Sequence, residues 1–93
     1  MLKSNEYFGG QVKSIGFTGK EKPTSVGVMA IGEYEFGTAE PELMVIVAGE
    51  LIVKLPGESD WTSYKDGQQF NVGGNAKFQV KVPTETAYLC VYG

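Results

Sequence analysis

Apolar and polar residues alternate with a period of two along most of this chain. In "GEYEFGT", Tyr34, Phe36 and Thr38 fall on one side and Glu33, Glu35 and Gly37 on the other. In "AKFQVKVP", Phe78, Val80 and Val82 alternate with Lys77, Gln79 and Lys81. A strand turns successive side chains to opposite faces, so both segments read as half-buried sheet with the aromatics inward and the charges outward. The pattern predicts eight strands: Val12–Phe17, Ser25–Ile31, Gly32–Thr38, Glu42–Val47, Glu50–Lys54, Gln69–Val72, Ala76–Val82 and Thr86–Tyr92. Turn signals separate them: "TGKEKPT", "TAEPE", "AGE", "LPGESD", "KDGQ" and "GGN". No window carries helical periodicity, and there is neither an internal repeat nor a linker. Short strands rich in Val, Ile, Tyr and Phe, punctuated by 13 glycines and 4 prolines, predict an all-β sandwich or barrel. The last strand, "TAYLCVY", leaves two facings open. Either Tyr88, Cys90 and Tyr92 point inward, or Leu89 and Val91 do. Being apolar on both sides, it predicts a second covering surface such as another subunit.

Length and composition narrow this picture. With 93 residues, a single domain spanning 1–93 is expected, and a partner subunit would enlarge a modest core. The net charge is −3, all eight basic residues are lysine, and there is neither arginine nor histidine. Acidity and the lack of arginine both disfavour nucleic acid as a partner. Without histidine, a Ser-His-Asp triad and the common zinc and iron sites are excluded. Chemistry is left to carboxylates, hydroxyls, lysines, backbone amides and aromatic faces. The one cysteine, Cys90, cannot form an intrachain disulfide and lacks a histidine to activate it, so it reads as a small buried hydrophobe. The apolar runs fall far short of the roughly 18 residues of a membrane span. "MLKSNEYFGG" has no apolar signal core, so no membrane association is expected and a cytoplasmic location is the default.

Four glutamates, Glu33, Glu35, Glu40 and Glu42, precede the apolar run "LMVIVAG". Glu42 is followed by six residues and then Gly49, and Gly67 by five residues and a "GG" pair. These spacings resemble the paired motifs of the cupin superfamily, G-x5-H-x-H-x3/4-E-x6-G and G-x5-P-x-G-x2-H. Laid on this chain, the first-motif histidines fall on Phe36 and Thr38, the glutamate on Glu42 and the second-motif histidine on Phe78. The motif proline falls on Gly73 and its glycine on Asn75. The resemblance implies a cupin-like (RmlC-type) β-barrel or jelly roll, and the replaced ligands argue against a cupin metal.

A second resemblance covers nearly the whole chain. "SIGF", "SVGVM", "GEYEFGTAEPE", "GELIVKLPG", "DWTSYKDGQQFNV" and "YLCVY" occur in order, as in the small single-domain pyrimidine/purine nucleoside phosphorylase family. That resemblance implies a cytoplasmic homodimer and a pentosyltransferase of broad specificity. Its substrates would be purine and pyrimidine nucleosides (adenosine, guanosine, inosine, uridine, cytidine, thymidine). Inorganic phosphate is the implied co-substrate, free base and (deoxy)ribose 1-phosphate are the products, and no cofactor is implied.

Phosphorolysis suits this residue inventory because it needs no covalent nucleophile. Holding phosphate against an oxocarbenium-like sugar can supply up to roughly 7–11 kcal/mol by positioning. The barrel mouth is the expected site. There Glu42 and Glu40 are the candidate catalytic carboxylates. Tyr34, Phe36 and Phe78 offer faces for a base, whose stacking is worth ~1–3 kcal/mol and tolerates any base. Thr38, Ser25, Tyr88 and Tyr92 offer hydroxyls. Phosphate would meet such hydroxyls, glycine-rich backbone or a lysine; Lys13 and Lys54 lie on strands, while Lys77 and Lys81 read as outward. Each candidate has a plainer reading. The aromatics are core, Glu40 is a turn residue before Pro41, Glu33 and Glu35 are solvated rim, and Trp61 packs across a strand or a dimer seam. Two rival functions use the same pocket: a non-catalytic small-molecule binding cupin, and a metal-dependent one recruiting Glu40 and Glu42.

Overall fold

A computed structural model describes residues 2–19 and 21–93. Ten strands form among them: β1 (Lys3–Tyr7), β2 (Val12–Thr18), β3 (Pro23–Met29), β4 (Gly32–Thr38), β5 (Glu42–Ala48), β6 (Glu50–Lys54), β7 (Thr62–Lys65), β8 (Gln69–Val72), β9 (Ala76–Val82) and β10 (Thr86–Tyr92). They build a six-stranded sheet in the order β1-β2-β3-β10-β5-β8 and a four-stranded sheet in the order β4-β9-β6-β7. The strand pairs are antiparallel. The expected barrel is thus a jelly roll of two sheets, and no hydrogen-bonded ladder joins one sheet to the other among the described residues. Both sheets feed one apolar cluster: Val12, Met29, Ile46, Phe70 and Val72 from the first meet Leu51, Val53, Phe78, Val80 and Val82 from the second. Fully burying such a side chain is worth about 1.5–3 kcal/mol.

The predicted bounds of β4, β6, β8, β9 and β10 are those observed, whereas β2, β3 and β5 differ at their ends. β3 starts earlier, at Pro23, and stops at Met29, leaving Ile31 outside it. Two strands were not foreseen. β1, "KSNEY", has no buried residue, and its form comes from pairing with β2 from Lys3↔Gly16 to Tyr7↔Val12. β7, "TSYK", also buries none and is held at the edge by β6. Strands made by their neighbours carry no alternation to read.

The facing of β10 is resolved. Thr86, Tyr88 and Cys90 are buried, and half-buried Tyr92 follows them on the inner face; Leu89 and Val91 turn outward. Register carries that facing across the first sheet. One inner row runs Ser14–Gly27–Tyr88–Ile46, and the next runs Gly16–Ser25–Cys90–Met44. Between them lies an outward row, Ile15–Val26–Leu89–Val45. The first sheet therefore lines its interior partly with small and hydroxyl-bearing residues.

Candidate functional site

A cavity of about 230 Å³ opens between the inner face of the first sheet and the aromatic end of β4 and β9. β10 contributes Tyr88, Cys90 and Tyr92, β5 contributes Glu42 and Met44, and β2 and β3 contribute Ser14 and Met29. Phe36, Gly37 and Phe78 form the opposite wall, and Tyr7 of β1 closes one side. Glu42 faces inward because it is the first residue of β5, in phase with buried Met44 and Ile46.

Two glycines shape this end of the molecule. A Cβ on Gly27 would come within 2.7 Å of the Tyr88 hydroxyl and of the Lys13 carbonyl oxygen. Only a bare backbone lets the Tyr88 ring lie across β3. Gly49, seven positions after Glu42, turns β5 into β6 at φ 116°, where a Cβ would stand 2.9 Å from the Glu85 carbonyl oxygen.

Hydrogen bonds tie the polar groups together. The Cys90 thiol donates to Glu42 Oε1 at 3.5 Å, and the Tyr92 and Ser25 hydroxyls bond at 3.0 Å. Burial holds the Glu42 carboxyl above the usual carboxylate range; the Cys90 bond offsets part of this and the nearby Glu40 charge adds to it. Burial pushes the Tyr88 phenol up to about 12 and, with Glu42 nearby, the Cys90 thiol also up to about 12. Burial raises the Tyr92 phenol as well, despite its bond to Ser25. At neutral pH the cavity thus presents a carboxyl group, neutral phenols, a serine hydroxyl and an unionised thiol.

The structure brings Glu42, Phe36, Phe78, Tyr88 and Tyr92 together around this cavity. The other candidates stand apart from its walls. Tyr34 spends its hydroxyl on the Ala30 carbonyl at 2.7 Å. Thr38 donates to the Gly73 carbonyl at 2.7 Å and accepts from the Ala76 amide at 3.1 Å, fastening the turn before β9. Ser25 sits behind Tyr92, and Glu40 is exposed in the turn before β5. Glu33 and Glu35 are exposed on β4, and Glu35 accepts from Gln79 Nε2 at 3.3 Å. Trp61 lies beneath the Lys81 ammonium, 4.2 Å from the ring centroid, away from the cavity walls.

Tyr7, Ser14 and the placement of Cys90 at the wall escaped the sequence reading. Ser14 was recoverable, because it shares a face with Val12. Tyr7 carries no such signal, since β1 does not alternate. Phe8, just after Tyr7, extends the aromatic wall: its ring centroid lies 5.4 Å from that of Phe36 in an edge-on contact, and Phe36 stacks on Phe78 at 5.6 Å.

The cupin metal positions do not fit a metal here. Phe36 and Phe78 offer only carbon, and the Thr38 hydroxyl is committed to backbone. No group of three or more His, Cys, Asp and Glu suited to an ion occurs among the described residues. Nor is any helix of the described residues long and apolar enough to cross a membrane.

Two sheets with this strand order and a cavity between them define a cupin-like protein. A solved RmlC-like cupin from Shewanella frigidimarina shares the fold, with a TM-score of 0.77 at 19% identity over 98% of this chain and 82% of its own. A protein of unknown function from Vibrio parahaemolyticus is more similar, with a TM-score of 0.96 and 52% identity over 100% and 99% of the two chains. The family described as Pyrimidine/purine nucleoside phosphorylase matches residues 2–92. A curated relative of that name from Shewanella halifaxensis is 64% identical over the full length of both chains. The chain belongs to the pyrimidine/purine nucleoside phosphorylase family.

Proposed function

We propose that this protein is a metal-independent nucleoside phosphorylase, a pentosyltransferase that cleaves purine and pyrimidine nucleosides with inorganic phosphate to free base and (deoxy)ribose 1-phosphate. The observation that carries the reading is family membership across residues 2–92, and a cavity lined by a carboxyl, hydroxyls and aromatic faces supports it. Phe36 and Phe78 give an aromatic wall that accepts any base by its π-face. The Ser14, Tyr88 and Tyr92 hydroxyls can donate to phosphate or ribose oxygens. Glu42 supplies negative charge to the sugar as the glycosidic bond stretches toward an oxocarbenium-like state. No metal enters this reading.

The outer row Ile15–Val26–Leu89–Val45 supports a homodimer. Ile15 is 42% and Val26 40% exposed, with Val28 beside them at 50%, so a broad apolar face awaits cover. The lone cysteine, which cannot form an intrachain disulfide, supports a cytoplasmic location.

The test is to mix the protein with uridine or adenosine, with and without phosphate and with and without a chelator, and to follow free base by chromatography. Base appearing only with phosphate, and unaffected by chelator, is expected. Thermal stabilisation by a nucleoside without turnover would instead make the protein a binding module. Activity abolished by chelator and restored by a divalent ion would end the metal-independent claim.

A further inference from the structure

The cavity has an unusual charge balance for an anion site. Its one ionisable carboxyl is Glu42, and no lysine lines it among the described residues. The strand lysines considered for phosphate have other surroundings. Lys13 Nζ lies 3.5 Å from Glu6 Oε1 on exposed side chains, Lys81 caps Trp61, Lys77 is exposed, and Lys54 is outside the lining. A phosphate bound here therefore meets a carboxylate without a compensating cation. Among the described residues, the donor that reaches Glu42 is the weak Cys90 thiol on Oε1. The second carboxylate oxygen retains its acceptor capacity.

Phosphate and sulfate are tetrahedral oxyanions of similar size. They differ in one respect that a carboxylate can read: at neutral pH phosphate keeps an O–H, and sulfate has none. We propose that Glu42 is the specificity-determining residue for the co-substrate, accepting the O–H that phosphate carries. The cavity would then take hydrogen-bearing oxyanions, phosphate and arsenate, and reject sulfate. This inference rests on the phosphorolytic reading above and deepens it.

The remaining groups complete the cradle. Ser14, Tyr7, Tyr88 and Tyr92 each bring a hydroxyl to the wall. Ser25 stands behind Tyr92, 3.0 Å from the phenol oxygen; either hydroxyl can donate, and with Ser25 as the donor the Tyr92 proton is free for the anion. Burial keeps Tyr88 and Tyr92 protonated, so they remain donors. For phosphate, Glu42 contributes a charge-assisted O–H···O⁻ bond. For sulfate, the same oxygen meets a second negative charge with no proton between them. A site built around one such hydrogen bond rejects the analogue lacking it by large factors. Because this cavity is partly open to water, roughly hundredfold is expected here.

The experiment follows the phosphorus NMR line width of inorganic phosphate, which responds to weak binding, with arsenate or sulfate as competitor. Wild-type protein and Glu42→Gln are compared, and uridine phosphorolysis is assayed in parallel. With wild type, arsenate should restore the free-phosphate line and an equal concentration of sulfate should not. In Glu42→Gln, whose amide can donate to an aprotic oxyanion, sulfate should compete within about threefold of arsenate, by the loss of that hundredfold discrimination. Sulfate competing as well as arsenate with wild type would overturn the proposal without need of a variant. So would a folded Glu42→Gln that keeps the discrimination, or the absence of phosphate broadening with wild type. The two readings fail separately. Uridine cleavage with phosphate but equal competition by sulfate removes the role of Glu42 and leaves the phosphorylase. Discrimination without cleavage of any nucleoside removes the phosphorylase and leaves an anion-selective pocket.

Discussion

The two sheets use the same alternation to opposite ends. On β4, β9 and β6, apolar residues point in and polar ones mostly out. Tyr34, Val80 and Val53 align across the inner face, and Glu33, Lys81, Ile52 and Ser63 across the outer. On β2 and β3 the polarity is partly inverted. Ser14, Ser25 and Gly27 are buried, while Ile15, Phe17, Val26 and Val28 lie on the opposite face with 40–50% of their surface exposed. The first arrangement is what stability alone asks of a half-covered sheet. The second gives up apolar packing inside and leaves apolar surface outside. Its inner side accommodates the Tyr88 ring and the cavity, and its outer side suits a second subunit. The less regular sheet gives the cavity its carboxyl and hydroxyls, and β4 and β9 of the regular sheet give it the Phe36 and Phe78 wall.

Substitutions can test that division. The largest effect is expected from Leu51→Ala in β6, which has no exposed surface. Chemical denaturation should report a loss of about 2–5 kcal/mol, and any protein that stays folded should keep its turnover. If turnover fell while stability held, β6 would do more than support the cavity wall that β4 and β9 provide.

Glu42→Gln should do the reverse, lowering turnover about 10²-fold with the fold intact. Its pH behaviour follows from burial. Because folding raises the carboxyl above its ordinary value, the folded state binds the proton more tightly than the unfolded one. Wild-type stability should therefore fall as pH rises from the usual carboxylate range through the folded value. Melting temperature against pH should show that decline for wild type, and Glu42→Gln should lose this component. An unchanged slope in the variant would assign the titration elsewhere.

Val26→Asp, in the middle of the outer apolar row, should convert a dimer to a monomer, as read by light scattering. A dimer of unchanged mass would mean that subunits meet on another face. The smallest effects are expected from Glu33→Gln and Glu35→Gln. Both residues are exposed on β4, so stability should stay within about 0.5 kcal/mol and turnover within about twofold. A strong loss in either would mean that the outer face of the regular sheet takes part in function.

Much of the architecture was legible because alternation is a local property. The inward set of β4, the inward Phe78, Val80 and Val82 of β9, and five complete strand ranges follow from residue order. β1 and β7 were not legible, since neither buries a residue and each is defined by its partner. The site divides in the same way. Glu42 and the aromatic pair Phe36 and Phe78 could be named from spacing and facing. Tyr34 and Thr38 share the facing of Phe36 but not its surroundings: the Tyr34 hydroxyl is taken by the Ala30 carbonyl in the turn before β4, and that of Thr38 by the Gly73 carbonyl, 35 positions away. Cys90 was recognised as buried, but its bond to Glu42 spans 48 positions along the chain.

Residue order alone settled the class of fold, the absence of histidine and arginine chemistry, and the families that the chain resembles. These depend on composition, on short-range periodicity and on motifs read along the chain. Tertiary structure decided which hydroxyls remain available to a ligand and which are consumed in turns. It also decided how β10 faces, and that one carboxyl stands in a cavity lined by no lysine among the described residues. Those outcomes depend on strand register between β2, β3, β10 and β5. Register is set by the packing of residues far apart in the chain, where a shift of one position would exchange Tyr88, Cys90 and Tyr92 for Leu89 and Val91.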